Sequence, residues 1–284
     1  MNYKELTIYN YRISYYLIRV FAIFWLFKLY SNFLRFSERP AEFYKPTYWL
    51  QEILFPIFPS NTYFLGLIIP TAIFIVLSSI KPKVIFNFLI FILLAILNMP
   101  IAAYHGAGHH NHLFILSFFF SVFLIPNKLK KEDFRYVQYF YVGLLMTYTF
   151  AGFWKFVSIA KDIVINSPDI SWLEPNAAKL NTFVNWHFTD QFPPEYMVMV
   201  YEFVYLWIVI TFLGILAQTL SVFGAFNRKY LTFTMIFLVL FHLYNKYFVI
   251  ADFSTAIIVV VILFFPYHHL RQINFIFKKT FVKT

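Results

Sequence analysis

Long apolar stretches separated by short polar segments dominate this chain. A membrane crossing takes about 20 consecutive apolar residues, and by that measure the pattern predicts eight spanning helices, with seven or nine as alternatives. The predicted spans are 13–34, 61–80, 84–104, 112–126, 135–157, 197–221, 229–248 and 250–266. The sequence therefore predicts an all-α, polytopic helix bundle in the membrane, forming a single domain over residues 1–284.

The composition supports an integral membrane protein. Of the 284 residues, 61% are hydrophobic and 13% are charged, whereas soluble domains average about half apolar and about a quarter charged residues. The apolar runs have helical length, which argues against the short alternating strands of a membrane β-barrel. The sequence contains no cysteine, so disulfides and thiolate metal sites are excluded.

The basic residues predict the orientation of the bundle. The formal net charge is +10, but the lysines and arginines occur in short clusters between apolar runs, which indicates membrane orientation and not nucleic-acid binding. If there are eight spans, the following basic residues all fall on one side: Lys4, Arg12, Lys81, Lys83, Lys128, Lys130, Lys131, Arg228, Lys229, Arg271, Lys278 and Lys279. Both termini are then cytoplasmic. The high content of Phe, Ile, Lys and Asn suggests a bacterial cytoplasmic (inner) membrane.

Two stretches between the spans are predicted to lie at the membrane surface. Residues 44–58 combine aromatic residues with three prolines and are typical of a broken amphipathic segment. Residues 158–196 form an acidic outer loop, and loops of this length often bind ligands or cover sites. Glu202 follows this loop, and we expect it to be either a buried carboxylate or an interfacial one.

A dense histidine cluster lies in the predicted outer turn between the third and fourth spans. Its members are His105, His109, His110 and His112. Imidazole serves as a metal ligand or a proton shuttle because its pKa lies near neutrality. The alternatives are a turn of solvated histidines and a metal site at His105, His109 and His110. No carboxylate–histidine repeat completes such a site, so we expect no metal.

Lys155 is a cationic residue near the outer end of the fifth predicted span. Ala151 and Gly152, one turn before it, allow close packing of a neighbouring helix. A lysine that faces the bundle interior loses water, which favours the neutral amine and makes it a base. The alternative is a lysine that reaches to the lipid headgroups, as lysines at the ends of spans commonly do.

His242 and Asn245 lie three residues apart in the seventh predicted span. This spacing places them on one helix face. They are predicted to line a polar site at the same depth as Lys155. The alternative is a hydrogen bond between helices, which polar residues in membranes commonly form.

Three stretches resemble the vitamin K-dependent γ-carboxylase-like HTTM family (horizontally transferred transmembrane domain). His110-Asn111-His112-Leu113 resembles the family's Asn-Asn-His turn, and Tyr148 to Lys155 resembles its Tyr-Phe-x-Ala-Gly-x-x-Lys segment. Phe241-His242-x-x-Asn245 resembles its Phe-His-x-x-Asn element. The three stretches occur in the family's order and spacing. The resemblance implies an HTTM-like transmembrane domain.

The resemblance also implies a catalytic role for two residues. In the carboxylases the lysine of this segment is the base that deprotonates a reduced quinone at the lumenal face, and oxygenation of the quinone drives proton removal from a glutamyl side chain. Carried over, Lys155 is the base and His112 its partner on the carbanion side. The implied cofactor is a reduced quinone, and the implied substrate is a small hydrophobic molecule or a membrane-delivered peptide. The residues implied to line the substrate site are His110, Asn111, Tyr148, His242 and Asn245.

A different class of function stays open. The chain could be a non-catalytic module that binds a peptide or partner protein during peptide or toxin maturation or export. In that case the loop at 158–196 carries the function and Lys155 is structural.

Overall fold

The computed structural model describes residues 3–105, 111–165 and 171–270, and the regular secondary structure of these residues is helical. The helices are α1 (Tyr3–Ser37), α2 (Trp49–Leu54), α3 (Asn61–Ile80), α4 (Val84–His105), α5 (His112–Phe123), α6 (Phe134–Ile165), α7 (Ala177–His187), α8 (Glu195–Tyr201), α9 (Val204–Thr219), α10 (Arg228–Tyr247) and α11 (Ser254–Phe264). The prediction of an all-α fold is confirmed.

Four of these helices, α1, α3, α4 and α6, are long and apolar enough to cross a membrane. The number rises to five if α8 and α9 together form one bent span. Helices α5 and α11 are apolar but shorter. Each of the eight predicted spans coincides with helical residues. By their length and composition, the described helices support four to five membrane crossings.

The predicted span 197–221 differs from the structure. It consists of two helices, α8 and α9, which meet at an angle of 84°. The chain leaves α8 at Glu202 and Phe203, where the Glu202 carbonyl accepts a hydrogen bond from Val204 N (2.9 Å). The indole of Trp207 donates to Val200 O (2.8 Å) and so pairs a carbonyl in the last turn of α8. Hydropathy does not register such a break, because the residues on both sides of it are equally apolar.

The connection predicted at 158–196 also differs from its predicted bounds. Helix α6 continues beyond residue 157 to Ile165, and the connection contains the helix α7 of its own. The added helical residues include Lys161 and Asp162, followed by the apolar residues Ile163, Val164 and Ile165.

The chain divides into two compact units, residues 3–140 with 266–270, and residues 141–265. The boundary falls inside α6. The prediction of a single domain over residues 1–284 stays a prediction.

The first unit is built on α1, which carries a buried arginine. Arg19 is 2% exposed. It donates from Nε to Ser78 Oγ of α3 (2.7 Å), from Nη1 to Tyr15 O (2.7 Å) and from Nη2 to Asn87 Oδ1 of α4. Its guanidinium also lies 3.3 Å from the centre of the Tyr15 ring. These contacts tie α1, α3 and α4 together within the apolar unit.

The stretch 44–58 forms a short amphipathic helix on the first unit. Gln51 is fully buried and donates from Nε2 to Met99 O of α4 (2.8 Å). Burial raises the pKa of the Tyr44 phenol to about 12, and its hydroxyl donates to Phe55 O (2.9 Å). Trp49 and Ile53 of α2 are exposed. One face of α2 therefore packs on α4, and the position of this segment at the membrane surface stays a prediction.

Candidate functional site

The second unit places Lys155 in a packed contact between α6 and α9. The Nζ of Lys155 donates to Gln218 Oε1 of α9 (2.8 Å), and Gln218 is 2% exposed. Two ring faces lie over the amine, that of Trp172 at 5.0 Å and that of Phe241 at 5.3 Å from the ring centres. Lys155 itself is half-buried. The amine therefore points at a buried amide and two aromatic rings.

The position of Lys155 along its helix is not the predicted one. Helix α6 continues for ten residues beyond it, which corresponds to about 15 Å of helix at 1.5 Å per residue. A lysine at the last turn of a span reaches water easily. Lys155 lies two to three turns inside the helix, and its amine is bonded inward to Gln218.

A glycine explains why α6 and α9 approach so closely. A Cβ atom at Gly152 would lie 2.5 Å from Thr219 Oγ1 and 2.6 Å from Thr219 N, closer than real Cβ contacts allow. One turn earlier on α6, Thr149 Oγ1 accepts a hydrogen bond from Val222 N (3.1 Å). Residue 149 contacts residue 222, residue 152 lies against residue 219, and residue 155 contacts residue 218. The two segments therefore run antiparallel. Close helix packing was expected at Ala151-Gly152. Gly152 forms this contact, since Ala151 is exposed.

The next predicted residues form a second contact on α6. Tyr148 OH and His242 Nε2 of α10 lie 2.8 Å apart in a hydrogen bond, and His242 is 4% exposed. The rings of Tyr148 and Phe253 lie on the imidazole, at 5.6 Å and 5.1 Å between centres. Tyr148 and Lys155 are seven residues apart, so they share one face of α6. The structure thus brings Lys155, Tyr148 and the α10 residues Phe241 and His242 into one unit.

Asn245 contributes its backbone, and not its side chain, to the hydrogen bonds seen among the described residues. Its backbone carbonyl accepts hydrogen bonds from Val249 N (3.1 Å) and Ala251 N (2.9 Å) and closes the end of α10. Ile250, with φ 58°, takes the left-handed turn that this closure requires. A β-branched residue is strained there, so the end of α10 is stabilised by its surroundings.

The histidine turn belongs to the first unit. His112 begins α5 and is exposed, and Asn111 donates from Nδ2 to Asn98 Oδ1 of α4 (2.9 Å). His109 and His110 lie outside the described residues, as does the side chain of His105. The predicted pairing of His112 with Lys155 therefore stays a prediction. Among the described residues no group of three or more His, Cys, Asp or Glu side chains could hold a metal ion, and the alternative metal site falls outside them.

The connection between α6 and α8 is anchored to the second unit through α7. Thr182 Oγ1 and Tyr201 OH of α8 are 2.6 Å apart, and Tyr201 OH lies 2.9 Å from Tyr244 OH of α10. The indole of Trp186 donates to Phe248 O (2.9 Å). Glu202 is exposed and pairs with Lys179 (3.1 Å), which agrees with the interfacial alternative for this carboxylate.

Sequence reasoning missed three residues of these sites. Gln218 is a polar residue near the end of an apolar run, a signal that was present in the sequence. Arg19 lies inside the first predicted span and carried the same signal. Trp172 had no such signal, because only the fold of the connection brings its ring over Lys155.

Comparison of the chain with family models, with curated proteins and with solved structures finds no match.

Proposed function

We propose that this chain is a multi-pass membrane protein of the γ-carboxylase-like HTTM type, with Lys155 as the base of a site in its second unit. The observation that carries the proposal is the surroundings of the amine. Lys155 Nζ is bonded to a buried amide oxygen and covered by two rings. Among the described residues, the lysines that form ion pairs with carboxylates are residues other than Lys155. A lysine without a carboxylate partner exchanges a proton more readily than a paired one.

The orientation and the number of spans form part of the proposal. Eight crossings would place both termini in the cytoplasm and the 158–196 connection outside, in a bacterial cytoplasmic membrane. The basic clusters between the apolar stretches support this orientation. The apolar helices α5 and α11 are shorter than a full crossing and would need the flanking residues to span.

The residues around Lys155 fit a flat, apolar ligand such as a reduced quinone. The rings of Trp172 and Phe241 lie about 5 Å from the amine, within the range of cation–π contact, and their apolar faces would pack against such a ligand. A reduced quinone would supply the acidic hydroxyl and the reducing equivalents. Lys155 would accept the proton at Nζ, Gln218 would hold the amine in place, and Trp172 would limit the access of water.

The other predicted residues have supporting roles in this proposal. Tyr148 and His242 are hydrogen-bonded to each other and would form the floor of the site on the α6 and α10 side. His112 is the second catalytic residue that the resemblance implies, and Asn111, His110 and Asn245 are implied substrate-binding residues. The test of His112 is its replacement by alanine, which should lower the rate of quinol consumption.

The experiment uses the purified full chain in lipid vesicles with a reduced naphthoquinone in air. We expect wild-type protein to consume the quinol faster than protein-free vesicles, and Lys155→Met to consume it at the background rate. Lys161→Met is the matched control, because Lys161 is exposed on the same helix six residues further on. Equal rates for wild type and Lys155→Met would refute the role of Lys155 as base.

The second candidate is a non-catalytic module that binds a peptide or partner protein through the outer connection. The observation that favours it is that α7 is held on the unit by three contacts while its Leu180 and Val184 stay exposed. Under this hypothesis Lys155→Met keeps export or maturation of the cognate peptide in cells, and replacement of residues 171–192 by a flexible linker abolishes it. Loss of export or maturation in Lys155→Met, together with its retention in the linker variant, favours the enzyme.

A further inference from the structure

The C-terminal end of α7 and the turn after it form a cleft that the proposed function does not use. Its volume is about 490 Å³, and its lining includes Phe183, Val184, His187, Asp190, Gln191 and Phe192. This volume lies within the range of sites that hold small molecules, about 300–1,000 Å³. Both its walls and its polar groups come from one short stretch of the second unit.

The polar side of the cleft favours a cation that can donate hydrogen bonds. The C-terminal end of a helix carries a partial negative charge, and Asp190 adds a carboxylate three residues after the end of α7. Asp190 has φ 54° and its backbone N donates to His187 O (3.0 Å). The turn is thereby fixed in a left-handed conformation that aspartate tolerates better than most residues. The basic residue nearest on α7, Lys179, is paired with Glu202.

The apolar side of the cleft favours lipid as the source of that cation. Phe188 is 79% exposed and Phe192 is 90% exposed. Helix α7 packs on α8 through Thr182 and Tyr201. The α8–α9 pair, a candidate bent span, exposes large apolar side chains at Met199, Phe203, Tyr205 and Leu206. Aromatic residues are enriched at the headgroup level of membranes, and the exposed rings of Phe188 and Phe192 beside the cleft suit that position.

We propose that this cleft binds the headgroup of a phospholipid that carries a primary ammonium group. Asp190 accepts hydrogen bonds from the ammonium, while the side chains of His187 and Gln191 donate to the phosphate oxygens. Phe183 and Phe192 pack against the glycerol and the first acyl carbons. A primary ammonium fits better than a quaternary one, because a carboxylate recognises its N–H donors. The proposal is independent of the chemistry at Lys155.

The test is a titration of the delipidated full chain in detergent, followed by native mass spectrometry. The probes are phosphatidylethanolamine, phosphatidylcholine and phosphatidylglycerol with identical acyl chains. Wild type should retain phosphatidylethanolamine preferentially, and Asp190→Asn should weaken its apparent affinity about tenfold, the effect of losing one charge-assisted hydrogen bond. Asparagine also tolerates the left-handed conformation, so the fold of the turn is preserved.

Glu195→Gln is the matched control, since Glu195 is an exposed carboxylate five residues along that does not line the cleft. It should bind phosphatidylethanolamine as wild type does. Equal retention of the three lipids, or unchanged binding in Asp190→Asn, would overturn the proposal. So would Asp190-dependent binding of an apolar lysine-containing peptide by a protein that does not retain phosphatidylethanolamine, because the cleft would then be a peptide site.

Discussion

The two units each bury a cationic side chain, and they satisfy it differently. In the first unit, all three nitrogens of Arg19 donate to oxygens of α1, α3 and α4, and the side chain is almost wholly removed from the surface. In the second unit, the Lys155 amine has one recorded acceptor, Gln218, and the residue is half-buried. Arginine suits the first role because its planar guanidinium holds several N–H donors in fixed positions. A lysine amine is a compact charge that can exchange its proton.

The difference separates a structural charge from a chemical one. A buried charge that is saturated with hydrogen bonds cannot contact a ligand without losing them. A charge with a single neutral partner and two ring faces has donor positions left for a ligand. We therefore interpret Arg19 as a residue that holds helices together and Lys155 as the candidate for chemistry.

Replacement of Arg19 should have the largest effect on stability. Arg19→Met removes three hydrogen bonds of a charged group, and we expect the free energy of unfolding to fall by about 3 kcal/mol. The measurement is reversible unfolding by SDS in mixed micelles, followed by tryptophan fluorescence. Lys28→Met is the control, since Lys28 is exposed on the same helix. Equal stability of the two variants would mean that Arg19 does not hold the first unit together.

Replacement of Gly152 should cost about 2 kcal/mol, within the range for overpacking of a close contact. The added methyl group of Gly152→Ala would meet the backbone and side chain of Thr219, which would push α9 and its Gln218 away from α6. The control is Gly214→Ala, because a Cβ atom there would meet nothing within 4 Å and alanine favours a helix. If both variants have the same stability, α6 and α9 do not pack as described.

Replacement of Tyr148 should cost about 1 kcal/mol, the net value of one hydrogen bond. Tyr148→Phe keeps the ring against His242 and removes only the hydroxyl. Tyr139→Phe is the control, since Tyr139 is an exposed tyrosine of the same helix. The free energies of unfolding of the two variants are compared by the same SDS unfolding experiment. No difference between the two variants would indicate that the contact with His242 does not stabilise the second unit.

Replacement of Lys155 should have the smallest effect on stability and so sharpen the contrast with Arg19. We expect Lys155→Met to lose about 0.5 kcal/mol, the low end of the net value of one hydrogen bond, because the residue is half-buried. The same variant is expected to abolish activity. A loss of stability as large as that of Arg19→Met would show that Lys155 is a structural charge as well.

The sequence predicted the helices better than their ends and bends. Runs of apolar residues can be recognised directly in the sequence, so seven of the eight predicted spans each fall on one helix and the span 197–221 falls on two. The break between α8 and α9 and the continuation of α6 to Ile165 were missed. The break depends on contacts that hydropathy does not contain, such as the pairing of the Val200 carbonyl by Trp207.

For the candidate site, the residue types were visible but their partners were not. Lys155, Tyr148 and His242 stand out because polar groups are expensive in an apolar chain. The partner of Lys155 lies 63 residues away at Gln218, and the ring of Trp172 comes from the connection between α6 and α7. No local periodicity links such distant positions.

By itself, the sequence determined that the chain forms apolar helices of membrane length, since burial of apolar side chains and pairing of backbone groups leave few other structures in lipid. Only the tertiary structure decided which polar groups meet. Gly152 lets α6 and α9 come close enough for Lys155 to reach Gln218, and Arg19 finds its acceptors on two other helices. These pairings depend on distances between helices, which a linear pattern of residues does not specify.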